Sequence, residues 1–423
     1  MDLALNVAIS LMAGLFLTRL GNKLSLPDVT CYLVAGLLLG PCVVGMLQIP
    51  GIGFHSFEDV ELLNPFCSVA LGFIAFAIGS EFRLSHLRQT GRRAVVIGIF
   101  QAVFTTITVD LILLGVMFLF PGILTIADVL ILGAIASATA PAATLMVVRQ
   151  YKAQGELTNT LLPVVALDDG VGLVLFALSY GIAEHLTSGG QVNVAELAAA
   201  PFLEITSSLI VGAALGWLLT HTARMFHSNR NRVTLIVSFI MLSVILSSQD
   251  YSLWGIDFSL SSLLVNMMLG TVFCNCCKSS EDLMYRADRW SAPLMTLFFV
   301  LSGAELNLFA FGNPGVLMVG VVYIVSRCVG KYYGARISCS VTHSSRPVKR
   351  FLGITLFPQA GVALGMAATV AQRMGSEGEM IRNVVLFGVL IYEIVGPSLT
   401  KWALTRAGEI KPKAKEFVLG YTH

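Results

Sequence analysis

The amino-acid sequence predicts an all-α polytopic membrane protein with about 13 transmembrane helices. Of its 423 residues, 56% are hydrophobic and only 12% are charged, whereas soluble domains carry about 25% charged residues. Apolar runs of roughly 20 residues, the length that crosses a bilayer, follow one another along most of the chain. The basic residues between these runs fall mainly on one side. We therefore expect lipid to surround the chain, and no basic run suggests nucleic acid as a partner.

The apolar runs divide into thirteen predicted spans joined by short links. These links are too short for a soluble domain, so we expect a membrane domain over 1–405 and a short cytoplasmic tail over 406–423. The spans cover 3–18, 28–47, 64–80, 94–119, 123–148, 158–185, 203–223, 233–249, 259–277, 290–309, 314–335, 351–371 and 381–405.

The loop charges predict the orientation of these spans. With the N-terminus outside, 23 of the 27 Lys and Arg residues fall in inner loops or the tail, and only Arg373 and Arg382 fall outside. Such an excess is the positive-inside signal. If the chain had one transmembrane helix more or fewer, the basic loops beyond that helix would fall on the opposite side of the membrane. We expect a multi-pass protein of the cell inner (plasma) membrane with a cytoplasmic C-terminus.

Two adjacent acids, Asp168 and Asp169, lie in the middle of the sixth span. Each charge at mid-bilayer costs about 2.5–3.5 kcal/mol, so such residues are candidates for function. Neighbouring residues of a helix point about 100° apart. One carboxylate can therefore face a cavity while the other meets a buried partner. Two adjacent acids are more than helix packing requires, which favours an ion-binding site.

The eleventh span supplies basic residues for these acids. Arg327 and Lys331 are four residues apart and lie on one helix face. Arg327 sits deeper, and Lys331 can extend toward the cytoplasmic interface. Two further intramembrane acids, Asp110 in the fourth span and Glu393 in the thirteenth, are expected in structural ion pairs with basic residues or at a broken helix end.

Two spans carry the signs of interrupted helices. The fifth contains Pro141 after Ser137 and Thr139, and the twelfth contains Pro358 among glycines. Proline removes a backbone donor, and unwound backbone at membrane depth is tolerated only within protein or beside water. The breaks correspond if spans 1–6 and 8–13 are inverted repeats linked by span 7. Such paired breaks are typical of transporter binding sites.

At these residues the chain resembles the cation/proton antiporter superfamily, in particular its bacterial sodium/proton antiporter branch with paired aspartates (the sodium/hydrogen exchanger family). The resemblance covers essentially the whole chain. Its most specific segments are Ala166-Leu-Asp168-Asp169-Gly, Ser137-Ala-Thr139-Ala-Pro141, Gly79-Ser-Glu81-Phe and the basic residue of the eleventh span.

The resemblance implies a role for each matching residue. Asp169 would bind the cation or the proton, and Asp168 would pair with Arg327. The broken fifth helix would add oxygen ligands from Thr139 and Ser137. Spans 4–6 and 11–13 would form a mobile core against a dimerisation domain of spans 1–3 and 8–10, so a homodimer is expected. Many electrogenic members have Lys where Arg327 stands.

We therefore expect an antiporter that exchanges a monovalent cation for protons by alternating access. Na⁺ is the first candidate, followed by Li⁺ and K⁺. We expect no enzymatic activity, no cofactor and no metal beyond the transported cation. Because arginine keeps its proton, an Asp168–Arg327 pair predicts electroneutral exchange, whereas a Lys331 pair would allow a second proton to take part.

One alternative stays open, a sodium-coupled symporter of a small organic anion with the same architecture. It would need a wider cavity. An intramembrane aspartyl protease needs acids on two facing helices, which adjacent residues do not supply. A channel is disfavoured because the sequence has no repeated pore-loop signature.

Overall fold

The structure is a computed structural model that describes residues 3–23, 28–47, 53–140, 144, 147–148, 151–187, 194–253 and 256–410. Within these ranges the regular secondary structure is helical apart from one antiparallel hairpin of two short strands, β1 (Asp250–Leu253) and β2 (Ile256–Ser259). The helices are α1 (Leu3–Lys23), α2 (Asp28–Leu39), α3 (Phe57–Glu61), α4 (Asn64–Gly79), α5 (Leu84–Leu119), α6 (Ile126–Ala136), α7 (Glu156–Thr187), α8 (Val194–Ala223), α9 (Asn229–Ser247), α10 (Ser262–Cys276), α11 (Ser280–Ala304), α12 (Pro314–Val341), α13 (Arg346–Thr355) and α14 (Gly361–Arg406).

The predicted fold class is confirmed, because a helix overlaps every predicted span. Among the described residues, seven helices are long and apolar enough to cross a membrane, and shorter apolar helices lie between them. The number thirteen stays a prediction. Helix α14 contains the second half of the twelfth predicted span and the whole of the thirteenth, and between them Gly375 adopts a left-handed conformation (φ 58°). Glycine adopts this conformation without the steric cost that other residues meet, so the chain turns there without a loop.

The helices pack as two bundles. The core bundle consists of α5, α6, α7, α12, α13 and α14, and its closest neighbours are α5 with α12 and α6 with α7. The scaffold bundle consists of α1, α2, α4, α9, α10 and α11, with α2 against α11 and α4 against α10. Helix α8, which contains the seventh predicted span, packs mainly on α10 and therefore adjoins the scaffold.

Capping contacts at the start of α6 stabilise this short helix, which ends within the predicted fifth span. Thr125 caps the helix by accepting a hydrogen bond from the Asp128 amide, and Asp128 accepts one from the Thr125 amide at 2.8 Å. This capping box satisfies two amides that the first turn leaves without helical partners. The helix then runs through buried aliphatic residues to Ala136, where it stops.

The segment after α14 binds the start of the helix that carries the two aspartates. The Glu409 carboxylate accepts hydrogen bonds from the Leu157 amide (2.6 Å), the Thr158 amide (2.9 Å) and the Thr158 hydroxyl (2.7 Å). A negative group at a helix N-terminus satisfies free amides and complements the helix dipole. The first residues of the predicted tail are therefore part of the folded protein, and 411–423 lie outside the described residues.

We predict that Glu409→Ala lowers the melting temperature of the purified protein. The substitution removes three acceptor contacts at the start of α7, which corresponds to about 1–2 kcal/mol for the loss of a helix cap. Thermal unfolding in detergent measures the change. Glu156→Ala is the matched control because Glu156 is an exposed acid of the same helix turn. Equal melting temperatures for the Glu409 variant and the wild type would contradict the capping role.

Candidate ion-binding site

Two helices stop inside the core bundle, as the sequence predicts. Helix α6 ends at Ala136, helix α13 ends at Thr355, and α14 begins only at Gly361. The non-helical segments touch, because the Ala140 amide donates to the Pro358 carbonyl at 2.9 Å. The side chain of Gln359 donates to the Ile135 carbonyl, also at 2.9 Å. Pro141, on which the first prediction partly rested, lies outside the described residues.

Arg327 on α12 holds the two interrupted segments together. Its guanidinium donates to the carbonyls of Ala136 (2.9 Å) and Ala138 (2.6 Å) beside the first break and of Phe357 (2.7 Å) in the second. It also lies 4.6 Å from the ring centroid of Tyr392. The last carbonyls of a helix have no partner within that helix. A fully buried guanidinium with several donors satisfies them on both sides.

Asp168 pairs with Lys331, one turn beyond Arg327. Both side chains are fully buried, and the Lys331 ammonium lies 2.5 Å from the Asp168 carboxylate. The Thr139 hydroxyl donates to the same carboxylate oxygen, and the Gln101 amide donates to the other. Lys331 also donates to the Ser137 carbonyl and, at 3.2 Å, to the Gln101 side-chain oxygen. This cluster joins α5, α6, α7 and α12.

The expected pairing of Asp168 with Arg327 is therefore wrong, as is the expectation that Lys331 extends toward the interface. The physical reason is that the Asp168 carboxylate and the backbone carbonyls of the two interrupted helices both need hydrogen-bond donors from α12. The three carbonyls around Arg327 need the branched guanidinium, whereas a lysine one turn away reaches the carboxylate with a single ammonium group.

Asp169 lies beside this cluster and is 2% exposed. Its carboxylate accepts a hydrogen bond from the Thr139 backbone amide at 3.3 Å. Thr139 therefore contacts both aspartates, with its hydroxyl on Asp168 and its amide on Asp169. The Ser137 hydroxyl donates to the Ala134 carbonyl at 2.7 Å, so Ser137 offers its carbonyl rather than its hydroxyl to the cluster.

The two accessory acids stand apart from the basic residues. Within the described part of the chain, no ion pair involves Asp110 or Glu393, so the ion pairs expected for them are wrong. Asp110 packs against Gly133 of α6, and Glu393, 1% exposed, faces the Thr30 hydroxyl of α2. The basic residues are already occupied elsewhere, since Arg327 binds carbonyls and Lys331 binds Asp168.

A second buried ion pair joins the two bundles. Arg382 of α14 lies 3.4 Å from Glu305 at the end of α11, and both side chains are at least nine-tenths buried. The neighbouring Asn307 amide donates to the Asn383 side chain at 3.0 Å. The sequence analysis placed Arg382 in an outer link. The distribution of charged residues along the chain does not show that Arg382 lies within a long helix.

Gln101 is a site residue that the sequence analysis missed. It is fully buried and bridges Asp168 and Lys331 through its amide. A signal was present, since Gln101 is an amide within the apolar fourth span. Polar side chains in such spans often form hydrogen bonds between helices.

Comparison with known proteins agrees with this fold. Residues 7–406 match the family described as "Sodium/hydrogen exchanger, transmembrane". Cation/H(+) antiporter 15 from Arabidopsis thaliana is 23% identical over 392 residues, which covers 88% of this chain and 45% of the relative. Cation/H(+) antiporter 20 from the same plant is 24% identical over 409 residues, with 92% and 46% covered. The chain thus spans about half the length of these curated relatives.

A solved structure has the same fold. The sodium proton antiporter MjNhaP1 from Methanocaldococcus jannaschii at pH 8 superposes with a TM-score of 0.73, covering 96% of this chain and 97% of that one at 18% identity. The crossed, interrupted helices around buried charges define a multi-pass membrane protein of the transporter class. The match over nearly the whole chain places it in the sodium/hydrogen exchanger family.

We predict that Arg327→Met destabilises the protein far more than a surface arginine change does. The variant leaves three buried carbonyls without their charged donor, and each such hydrogen bond contributes about 1.5–3 kcal/mol. The measurement is thermal unfolding in detergent. The control is Arg336→Met, an exposed arginine of the same helix. Similar melting temperatures for the two variants would contradict the structural role of Arg327.

Proposed function

We propose that this chain is a secondary active antiporter that exchanges a monovalent cation for protons by alternating access. Na⁺ is the first candidate for the cation, with Li⁺ and K⁺ next. One observation carries the proposal. Two adjacent buried carboxylates, Asp168 and Asp169, lie where two interrupted helices meet, and a buried lysine lies 2.5 Å from the carboxylate of Asp168.

In this proposal Asp169 binds either the proton or the cation. Carboxylate, carbonyl and hydroxyl oxygens suit a hard cation, and Thr139 with the Ser137 carbonyl lies at the same helix break. Because both ligands use one carboxylate, each displaces the other. The core bundle moves against the scaffold bundle only when the charge of Asp169 is neutralised. Proton and cation must then cross in alternation.

The names of the similar proteins support antiport, since both plant proteins are cation/H(+) antiporters and the archaeal one is a sodium proton antiporter. The alternative, a sodium-coupled symporter of an organic anion, fits the site less well. Asp168 is fully buried and Asp169 is 2% exposed, and this close packing favours a bare ion over an organic molecule.

The proposal includes the arrangement in the membrane. We place the protein in the cell inner (plasma) membrane with its N-terminus outside and its tail in the cytoplasm, because basic residues concentrate in alternate links. The scaffold bundle is the proposed contact between the subunits of a homodimer. We treat residues 1–405 as the transport domain.

The lysine partner changes the expected stoichiometry. The electroneutral prediction assumed that Asp168 pairs with Arg327, but the carboxylate lies against Lys331. Lysine, unlike arginine, loses its proton readily when it is buried. We therefore propose that Lys331 releases its proton when the Asp168–Lys331 pair opens on cation binding and takes one up when the pair re-forms, so that a second proton and a net charge cross in each cycle.

We predict that Asp169→Asn reduces cation-driven proton flux to the level of protein-free liposomes. The amide keeps the shape of the side chain but cannot exchange a proton at working pH. Proteoliposomes with an internal pH dye measure the flux. Asp288→Asn, an exposed acid on α11, is the control and should transport normally. Substantial exchange by the Asp169 variant would remove this residue from the mechanism.

We predict that exchange follows an imposed membrane potential. One net charge moving across 100 mV corresponds to about 2.3 kcal/mol, so the end-point of exchange shifts when the potential is set with potassium and an ionophore. Sodium-driven proton flux is compared at zero and at strongly negative potential. An end-point that ignores the potential would restore the electroneutral scheme.

A further inference from the structure

One side chain of the scaffold bundle reaches the helix that carries the aspartates. Phe82 lies in the short 3₁₀ turn Ser80–Phe82 that follows α4. Its ring packs against Gly170, the residue directly after Asp169 on α7. A Cβ atom added to Gly170 would lie 2.1 Å from Cζ and 2.5 Å from Cε2 of this ring. No other side chain would fit at position 170 while the ring stays in place.

The turn that presents Phe82 is fixed to the scaffold. The Asn275 side chain of α10 donates to the Phe82 carbonyl at 3.1 Å and accepts from the Leu84 amide at 2.9 Å. Arg83 donates to the Ser280 hydroxyl at 3.1 Å. These bonds hold the turn to α10 and α11 of the scaffold bundle at the point where the chain enters α5 of the core bundle.

Gly170, in contrast, belongs to the core. Its helix is bound to α5, α6 and α12 through Asp168. The Phe82–Gly170 contact thus crosses the boundary between the bundles at the residue next to Asp169. The ring thus lies at the residue next to Asp169, whose own side chain is 2% exposed.

We propose that Phe82 is the gate residue of the ion site. It covers Gly170, the residue next to Asp169, in this conformation, and α7 slides past its ring in each transport cycle. Gly170 is required because only a glycine surface lets the ring pass. This inference rests on the antiport proposed above, and it concerns the movement rather than the binding of the ion.

The experiment is a pair of single variants and their double. Gly170→Ala should lower the maximal rate of cation-driven proton flux about tenfold or more, because the methyl group meets the ring. The half-saturating cation concentration should change little, since the ligands are intact. Adding Phe82→Ala should restore much of the rate, counted as the proton flux in excess of that measured without a transported cation. Alanine is a better helix former than glycine, so a loss of rate is not a loss of helix.

Gly172→Ala is the matched control. Its added methyl group would meet the Ser137 hydroxyl, at 2.8 Å, within the core bundle. Phe82→Ala should therefore not rescue it. A double variant no more active than Gly170→Ala, or a fully active Gly170→Ala, would overturn the gate. Absence of exchange in the wild type would instead refute the proposed function.

Phe82→Ala alone gives a second test should Gly170→Ala not fold. Without the ring, water reaches Asp169, and the proton flux measured without a transported cation should rise above that of the wild type. Phe82→Leu, which keeps a bulky apolar group, should stay coupled. A Phe82→Ala protein as tightly coupled as the wild type would exclude the gate.

Discussion

Backbone groups released inside a membrane protein must find partners within the protein, because lipid offers none. This constraint organises the core bundle. The ends of α6 and α13 leave carbonyl groups that Arg327 satisfies, and the segments that follow bind each other through Ala140 and Pro358. The interruption is thus stable, and it creates the polar space in which two carboxylates can be buried.

The two basic residues of α12 bind different groups. Arg327 has several fixed donors and serves the backbone of both breaks, whereas Lys331 has one compact ammonium and serves Asp168. The two roles are not interchangeable, because guanidinium and ammonium differ in shape and in the ease with which they lose a proton. The structure therefore separates the base that holds the two helix breaks together from the base that pairs with Asp168.

Other contacts join the core bundle to the scaffold bundle or to the segment that follows α14. On one side the Phe82 ring touches Gly170, and elsewhere Glu305 and Arg382 form a buried pair between the bundles. A further contact holds the start of α7, where Glu409 caps the helix. Helix α7 is thus bound at its start by Glu409, paired at Asp168 and contacted at Gly170 by the Phe82 ring.

The sequence by itself determined the class of fold, the interrupted helices and the position of the two aspartates. These features follow from local chemistry, since apolar length, proline and buried charge can each be recognised along the chain. Only the tertiary structure decided which base meets which acid. Arg327 and Lys331 share one helix face, so their choice of partner depends on the carbonyls of α6 and α13, which are distant in sequence. The same holds for Gln101 and Phe82, whose partners lie on other helices and become neighbours only when the bundles pack.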